Sequence, residues 1–373
     1  MKYFIIAGEQ SGDLHGSNLV RELFRSDPRA DIECWGGDLM ESAGARVMVH
    51  YRETAFMGFI EVARNLGRIR KNLDLCKRQI SEFKPDAVIL IDYPGFNFRM
   101  AKFAKEEGFK VLYYISPKLW AWKESRVELV RKYVDRMYII FPFEVGFYRK
   151  HNIEVEYRGN PLLDETEKRM ARLPGKDELR NALGLGKKPV IAMLAGSRKS
   201  EVAQVLPRML RAVSHFPEYQ FVLAGVKTLP DELYLRLTRG KGVQVLKDRT
   251  YEILAVSEAA LVTSGTATLE TALLGVPQVV CYRGDLISMI IAWMVIKVRY
   301  ISLVNLIAGF EAVRELIQYS LNEKNIVREL GAILPGGAKR IKMLDDYRLV
   351  REILGPEGAS DRVASDMVRF LNT

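Results

Sequence analysis

The chain has 373 residues, too many for one ordinary hydrophobic core, so its length favours two domains. With 48% hydrophobic and 27% charged residues, its composition is that of a globular protein and excludes a disordered one. Three widely spaced cysteines, Cys34, Cys76 and Cys281, indicate a reducing compartment and argue against a disulfide framework or a zinc site. The net charge of +10 points to an anionic partner: nucleic acid, an acidic membrane surface or a phosphorylated substrate. The alternative is a basic surface without a function in binding.

Short apolar runs alternate with amphipathic stretches through the first half of the chain. The pattern predicts strands at 3–7, 31–35, 87–91, 111–115 and 136–140, and helices at 11–25, 67–83, 100–107 and 126–133. Apolar strands that alternate with helices are typical of a parallel, doubly wound α/β sheet.

The composition changes after this series. A charged stretch at 165–172, a Pro-Gly break at 174–175 and a Gly/Lys loop at 184–189 predict an interdomain linker. A second series then predicts strands at 190–194, 220–224, 243–246, 259–262 and 278–281, and helices at 201–213, 231–239, 250–257 and 269–274. We therefore expect two Rossmann-like domains facing a cleft, at 1–168 and 169–356. The last helix, at 359–371, fits either half, and residues 357–373 are candidates to pack back on the first domain.

The first seven residues are too short an apolar run for a signal peptide and are predicted to form a strand. A longer apolar run at 286–307 is interrupted by Lys297 and Arg299, and its charge-free part, 286–296, is too short to span a bilayer. This part fits either an interfacial helix or a buried helix of the second half. We expect a cytoplasmic protein, peripheral on the membrane.

Two motifs of the first half carry polar groups at predicted strand ends. The loop at 8–16 (Gly-Glu-Gln-Ser-Gly-Asp-Leu-His-Gly) is neither a Walker loop nor a dinucleotide fingerprint, but it places His15 in the first turns of a helix. Asp92 follows the most hydrophobic strand, where α/β enzymes keep catalytic acids and bases. The alternatives are structural: Asp13 caps its helix with His15 incidental, and Asp92 caps the helix that follows it.

Aromatic residues mark two further strand ends. Trp120 and Trp122 lie among lysines and suit stacking on sugar faces, a lipid interface or core packing. Glu144 follows the strand at 136–140 and is either a site carboxylate or a structural one.

Two turns of the second half suit a nucleotide diphosphate. The segment 194–201 brings small residues and Arg198 to a helix start, where the guanidinium can neutralise a departing phosphate, unless it is a surface charge run. The segment 263–272 forms a small-residue turn at a helix N-terminus, where a phosphate can dock and Glu270 can accept hydrogen bonds from a ribose. A purely structural turn is the alternative there.

Together these motifs have the layout of a metal-independent glycosyl transfer. The whole chain resembles the lipid-A-disaccharide synthases, a family of inverting glycosyltransferases with the two-Rossmann-domain GT-B fold. The matching segments, in the right order, are 8–16, 56–62, 91–97, 116–122, 141–144, 159–162, 196–201, 263–270 and 302–309. The chain departs from the family pattern at Gln10, at Val304 in place of proline and at Phe310 in place of arginine. The last change would weaken a phosphate contact.

The resemblance implies that UDP-2,3-diacylglucosamine donates its sugar to the 6-hydroxyl of 2,3-diacylglucosamine 1-phosphate. It implies Asp92 as general base, with His15 as its rival or polar partner, and Arg198 with the turn N–H groups in place of Mg²⁺. We expect no metal and no cofactor, since no Asp-x-Asp motif lies on a suitable loop. The implied substrate-binding residues are Ser11, Gly12, Met57, Glu61, Asn97, Ser116, Trp120, Trp122, Glu144, Asn160, Gly196, Ser197, Glu201, Ser264, Gly265, Thr266, Ala267, Thr268, Glu270 and Asn305.

The expected partners are these two lipid substrates and an anionic inner-membrane surface. Nucleic acid is not expected, because the chain shows no basic-aromatic repeat or recognition helix. The sequence leaves the oligomeric state open, with a homodimer as one candidate. The alternative function is a UDP-sugar 2-epimerase of the same fold; a soluble sugar nucleotide requires neither the tryptophan pair nor the apolar stretch at 286–307.

Overall fold

The computed structural model describes residues 1–54, 66–121, 124–284 and 299–373. This described chain divides into two compact units. The first unit comprises Met1–Pro161 and Pro356–Thr373, and the second comprises Leu162–Gly355. Each unit is built on one parallel β-sheet, which confirms the predicted α/β class with two Rossmann-like sheets.

The described residues of the first unit form seven strands, in chain order β1 (Lys2–Ala7), β2 (Asp31–Gly36), β3 (Arg46–His50), β4 (Ala87–Ile91), β5 (Lys110–Tyr114), β6 (Arg136–Ile139) and β7 (Glu156–Tyr157). Its helices up to residue 150 are α1 (Gln10–Ser26), α2 (Asp38–Ser42), α3 (Tyr51–Thr54), α4 (Leu66–Phe83), α5 (Pro94–Glu106), α6 (Val127–Tyr133) and α7 (Phe143–Lys150).

The strand order in the first sheet is β3-β2-β1-β4-β5-β6-β7. The order reverses between β1 and β4, which pair in parallel with Ala7 opposite Ile91. Ligands of open α/β sheets bind beyond the carboxyl ends of the strands at such a switch point. Strand β1 leads into α1, which carries His15, and β4 leads into the turn with Asp92, so both residues follow strands that end at this edge.

The second unit carries β8 (Val190–Leu194), β9 (Gln220–Gly225), β10 (Gln244–Lys247), β11 (Ser257–Thr263), β12 (Gln278–Tyr282) and β13 (Arg314–Ile317), in the order β10-β9-β8-β11-β12-β13. Its helices, starting with one that begins at the unit boundary, are α8 (Pro161–Met170), α9 (Lys176–Ala182), α10 (Lys199–Met209), α11 (Asp231–Thr238), α12 (Thr250–Ala255), α13 (Thr266–Leu273), α14 (Leu303–Ala308), α15 (Glu323–Ile333) and α16 (Arg340–Leu354). The switch point lies between β8 and β11, and both diphosphate-type turns follow these two strands.

The last helix, α17 (Ala359–Leu371), belongs to the first unit, where it packs on α1. Its Asp366 is 2% exposed and accepts a hydrogen bond from the Tyr138 hydroxyl at 3.1 Å. Arg136 and Arg158 lie 3.2 and 3.1 Å from the same carboxylate. A buried carboxylate needs such partners, so they anchor the C-terminal helix to β6.

Several elements differ from the sequence prediction. The predicted linker at 165–189 contains the second half of α8 and all of α9. Two of its charges form an ion pair one helical turn apart, Glu165 with Arg169 at 2.6 Å. Helix α5 begins at Pro94 rather than residue 100, because proline is well suited to the first turn of a helix. The predicted helix at 201–213 ends at Met209 and continues as a 3₁₀ helix.

The apolar stretch at 286–296, for which the sequence predicts either an interfacial or a buried helix, lies outside the described residues. Among the residues that are described, no helix combines the length and apolar character needed to cross a bilayer. All three cysteines are free and buried.

Candidate active site

Asp92 lies at the centre of the first sheet, where β4 turns into α5. All five residues of β4 are buried, and α5 begins at Pro94, so two residues make the whole turn. Asp92 and Tyr93 both adopt left-handed backbone conformations, with φ of +43° and +48°. This conformation costs a residue with a side chain about 1–2 kcal/mol. Such strain is kept where the surrounding structure enforces it, and it is concentrated at functional sites.

The environment of Asp92 makes its carboxylate a stronger base than an ordinary aspartate. The side chain is half-buried, and this burial is the main reason that its pKa is raised to about 6. The negative charge of Glu9 raises the pKa further, whereas Lys118 and the backbone N–H of Tyr93 lower it. A carboxylate with a pKa near 6 stays largely ionised at neutral pH and accepts a proton more readily, which suits a general base.

Asn97, predicted to contact substrate, is instead a buried support of this turn. Its side chain is 0% exposed, and Nδ2 donates to the carbonyl oxygens of Asp92 at 2.8 Å and Ile91 at 3.2 Å. No part of the side chain reaches the surface, so Asn97 supports the turn, and its direct contact with substrate stays a prediction.

The loop after β1 brings His15 to the same edge of the sheet. Helix α1 begins at Gln10, with Ser11 exposed in its first turn and His15 half-buried one turn later. Gly12 is buried, and a Cβ atom there would lie 3.1 Å from the Cβ of Ala7. Glycine therefore lets α1 start close to the end of β1.

Asp13 has a structural role that differs from the cap suggested by the sequence. Its carboxylate is 2% exposed and accepts the backbone N–H groups of Gly37 at 2.8 Å, Met40 at 3.1 Å and Leu39 at 3.2 Å. Asp13 thus holds the start of α2 rather than the start of its own helix.

A mostly buried cluster joins the ends of β5 and β6. Glu144 is 1% exposed and accepts the N–H of Phe141 at 3.0 Å and the indole Nε1–H of Trp120 at 3.2 Å. Burial raises the pKa of Glu144 to about 8, although these donors favour the carboxylate. Ser116 is also buried and shares a 2.7 Å hydrogen bond with the Tyr148 hydroxyl.

Trp120 is the half-exposed member of this cluster. Its ring meets Phe143 edge-on, with centroids 4.9 Å apart. Asn160, also 1% exposed, donates from Nδ2 to the carbonyl of Ile140 at 2.9 Å. The buried Ser116, Glu144 and Asn160 therefore shape this edge, and their contact with substrate stays a prediction. Trp120 alone of these four presents a surface.

In the second unit, the turn after β8 is ordered by Glu201. Its Oε2 accepts the backbone N–H groups of Ser197 at 3.2 Å and Arg198 at 3.3 Å. Gly196 has φ of +106°, and a Cβ atom there would lie 2.6 Å from the same carboxylate oxygen, so only glycine fits. The Arg198 side chain is 72% exposed and its Nη1 lies 3.8 Å from Glu201. A cation at a helix start, on an ordered turn, suits a diphosphate.

The turn after β11 presents the other predicted ligands. Gly265 precedes α13, whose first residue, Thr266, is exposed and whose second, Ala267, is half-buried. The Ser264 hydroxyl donates to the carbonyl of Ile301 at 2.8 Å. Thr268 is 0% exposed and its hydroxyl donates to the carbonyl of Gly265 at 2.8 Å, so it orders the turn, and its substrate contact stays a prediction.

Glu270 is positioned by a tyrosine that the sequence did not single out. The Tyr251 hydroxyl donates to Glu270 Oε1 at 2.6 Å, and the guanidinium of Arg169 lies 4.7 Å from the centre of the Tyr251 ring. Burial raises the pKa of Glu270, while the hydrogen bond from Tyr251 and the charge of Arg169 lower it. This carboxylate is half-buried and oriented, which suits a ribose acceptor.

Asn305, the last predicted substrate ligand, is fully committed to the fold. It is 0% exposed; Nδ2 donates to Val313 O and Glu315 Oε1, both at 2.9 Å, and Oδ1 accepts the N–H groups of Ala312 and Val313 at 2.8 and 2.9 Å. Every polar group of the amide is used internally, so the structure gives Asn305 a supporting role, and its contact with substrate stays a prediction.

Three predicted ligands, Met57, Glu61 and Trp122, lie outside the described residues. Within the described ranges, His, Cys, Asp and Glu side chains form no group of three that could hold a metal ion.

Comparisons with known proteins identify the family of the chain. The family profile described as "Lipid-A-disaccharide synthetase" matches residues 3–364. A lipid-A-disaccharide synthase from Geobacter sulfurreducens is 38% identical over 377 residues, covering 99% of this chain and 97% of its own. One from Syntrophus aciditrophicus is 40% identical over 369 residues, covering 96% and 95%. The chain belongs to the lipid-A-disaccharide synthase family.

Solved structures support the fold of this family assignment. The UDP-GlcNAc 2-epimerase from Neisseria meningitidis bound to UDP-GlcNAc has a TM-score of 0.69 at 14% identity, covering 99% of this chain and 100% of its own. A glycosyltransferase from Rickettsia africae has a TM-score of 0.59 at 13% identity, covering 100% and 98%. At such identities the likeness concerns the fold alone, so it lends no weight to the epimerase alternative.

The sequence analysis did not identify the residues that support the predicted site residues through their charges or hydrogen bonds. Glu9 raises and Lys118 lowers the pKa of Asp92, Tyr113 holds its backbone, and Tyr251 orients Glu270. Glu9 lies inside the recognised loop at 8–16, which could have drawn attention to it. The two tyrosines carry no local signal, because their partners are 19 or more residues away in sequence.

Proposed function

We propose that this chain transfers 2,3-diacylglucosamine from its UDP derivative to the 6-hydroxyl of 2,3-diacylglucosamine 1-phosphate, giving the β-1,6-linked disaccharide phosphate and UDP. The observation that carries the proposal is the end-to-end match to relatives named lipid-A-disaccharide synthase, at 38–40% identity for those described above. The acceptor is assigned to the first unit and the UDP-sugar to the second.

In this reaction the acceptor oxygen attacks the anomeric carbon of the donor, and the bond between that carbon and the diphosphate oxygen breaks. The electron pair of that bond leaves with UDP, and the configuration at the carbon is inverted. Asp92 takes the proton of the attacking hydroxyl, a role supported by its half-buried position and its pKa of about 6. His15 is the rival base or the polar partner of Asp92.

The leaving diphosphate is stabilised by the turn after β8. The exposed guanidinium of Arg198 and the start of α10 offer positive charge to the phosphates, in place of a metal ion. Glu270, held by Tyr251, accepts hydrogen bonds from the ribose. Phe310, which stands where the family commonly has arginine, lies under the Lys342 ammonium at 5.3 Å and offers no charge of its own.

A mass-spectrometric assay with both lipid substrates tests this proposal. We expect a tetraacyl disaccharide phosphate and UDP in equal amounts, formed only when donor and acceptor are both present. EDTA is expected to leave the rate unchanged. Conversion of a UDP-sugar to its 2-epimer without any acceptor would instead establish the alternative function and overturn the proposal.

We also propose that the chain works at an anionic membrane surface, on the cytoplasmic face of the inner membrane. Beside the net charge of +10, the second unit carries a cluster of like charges, Arg208, Arg211 and Arg283. Burial and the charges of the other two arginines lower the pKa of Arg208. In the described part of the chain none of the three forms an ion pair with an acidic side chain. Cations near an anionic leaflet contribute about 1 kcal/mol each.

Co-sedimentation with vesicles tests this second proposal. We expect binding to vesicles that contain anionic phospholipid, weaker binding at high salt, and little binding to zwitterionic vesicles. Replacing the three arginines by glutamine should reduce binding, whereas the charge-matched change of Arg236, Arg239 and Lys241 should not. Equal loss of vesicle binding in both triple variants would refute the arginine cluster as the contact.

The oligomeric state is a separate question. Analytical ultracentrifugation of the free protein measures whether it is a homodimer.

A further inference from the structure

The strained turn at Asp92 is held by two buried side chains that the reaction itself does not use. The Asp92 carbonyl oxygen accepts the Tyr113 hydroxyl at 2.6 Å and the Asn97 amide Nδ2 at 2.8 Å. The backbone N–H of Asp92 donates to the carbonyl of Tyr114 at 3.2 Å. Both polar groups of this peptide position are therefore fixed by neighbours on β5 and α5.

The burial of Tyr113 and Asn97 favours the hydrogen bonds that they donate to the Asp92 carbonyl. Both are 0% exposed, and Tyr113 stands on β5 opposite Leu90 of β4, two residues before Asp92. A buried hydroxyl or amide left without an acceptor would be costly, so the native structure keeps the Asp92 carbonyl within reach of both. The two donors approach it from different elements, a strand and a helix, so the carbonyl has one orientation that satisfies both.

The left-handed conformation also places the ring of Tyr93 against the loop after β1. A Cβ atom on Gly8 would lie 2.3 Å from the Tyr93 ring, so the ring covers the glycine backbone directly. The ring also stacks on Phe96, with centroids 5.5 Å apart and planes 24° apart. The turn is thus fixed both through its backbone and through the packing of its second residue.

We propose that Tyr113 and Asn97 are positioning residues for the catalytic base: their two hydrogen bonds hold the Asp92 backbone in its left-handed conformation and so keep the carboxylate aimed beyond the end of β4. The inference rests on the proposed function, in which Asp92 takes the proton of the acceptor hydroxyl. Without these bonds the turn relaxes toward an unstrained conformation, and the carboxylate moves out of its half-buried position.

The test is Tyr113→Phe, which removes one hydroxyl and keeps the ring in the core. We expect kcat to fall about tenfold, equivalent to ~1.4 kcal/mol, with the KM values of both substrates and the affinity for UDP unchanged. The acid limb of the kcat profile should move to lower pH, because a more solvated Asp92 loses part of the burial that raises its pKa.

The matched control is Tyr138→Phe on the next strand. Tyr138 is also 0% exposed, but its hydroxyl donates to Asp366 and does not contact the turn. This variant should be destabilised like Tyr113→Phe yet keep the wild-type kcat and pH profile. Asn97→Ala should lower kcat in the same way, and a cooperative urea unfolding transition should show that the fold persists.

A wild-type kcat and pH profile in Tyr113→Phe would overturn the proposal, as would equal changes in Tyr138→Phe. Asp92→Asn separates the two levels of the argument. If Asp92→Asn keeps near-normal activity, the base assignment fails; if it is inactive while Tyr113→Phe behaves as wild type, only the positioning role fails. An NMR titration of the ¹³C-labelled Asp92 carboxyl measures its pKa directly, without an activity assay. An Asp92 pKa that is unchanged in Tyr113→Phe would also refute the positioning role.

Discussion

The pH dependence of the rate offers the most direct test of Asp92 as the base. With a pKa of about 6, its carboxylate fraction is about 0.9 at pH 7 and about 0.1 at pH 5, so kcat should fall roughly tenfold between these values. An aspartate of ordinary pKa would stay ionised across this range and give a flat profile. Asp92→Asn should lose about 100-fold or more of kcat and abolish the acid limb.

Two neighbours should move this limb in opposite directions. Glu9→Gln removes a negative charge that raises the pKa of Asp92, so the limb should shift to lower pH. Lys118→Gln removes a positive charge that lowers it, so the limb should shift to higher pH. The assay is the initial rate of disaccharide formation, at saturating donor and acceptor, from pH 4.5 to 8. Shifts of the same sign, or a limb that persists in Asp92→Asn, would refute the reasoning.

The same pKa predicts an effect on stability with a defined sign. The folded-state pKa of Asp92 lies above the ordinary value of 3.8, so between about pH 4 and 6 the folded state binds more protons than the unfolded state. This group's contribution to stability therefore decreases as the pH rises through that window. At pH 7 Asp92→Asn should unfold at a higher urea concentration than wild type, a gain of about 1–3 kcal/mol. An inactive variant that is less stable than wild type at pH 7 would contradict this account.

Three further outcomes follow from the second unit. Arg198→Ala should lose about 3 kcal/mol of transition-state stabilisation, measured as kcat at saturating donor. The control variant Lys199→Ala should keep a kcat near that of wild type. Equal losses in the two variants would place the diphosphate elsewhere. Tyr251→Phe should weaken the binding of UDP in calorimetry but hardly that of 2′,3′-dideoxy-UDP, because the Tyr251 hydroxyl acts through Glu270 on the ribose. An equal loss of affinity for both ligands would indicate general damage to the second unit. Asn305→Ala should destabilise the fold by about 3 kcal/mol in urea unfolding, since it leaves buried backbone groups unpaired. A loss of activity without a loss of stability would instead support the predicted contact of Asn305 with substrate.

The sequence determined the elements whose signal is local. The five-residue runs of β4 and β8 are apolar throughout because both faces of a parallel sheet are covered, so their strands could be predicted within a residue. The edge strands β3 and β13 escaped prediction because they are half-buried and carry charged residues, which removes the apolar signal. Motif order along the chain was also enough to indicate the family, since the family profile spans residues 3–364.

The roles of polar residues within those motifs were decided by tertiary structure. Asn97 and Asn305 stand in the recognised segments as readily as Arg198 does, yet both are buried and spend their amides on the backbone. Tyr113 and Tyr251, outside the motifs, hold the candidate base and the candidate ribose acceptor. The last helix reads as amphipathic and fits either half until Asp366 meets Tyr138, 228 residues earlier in the chain. Periodicity records which face of an element is buried, whereas the partner of a buried polar group depends on which distant elements the fold brings beside it.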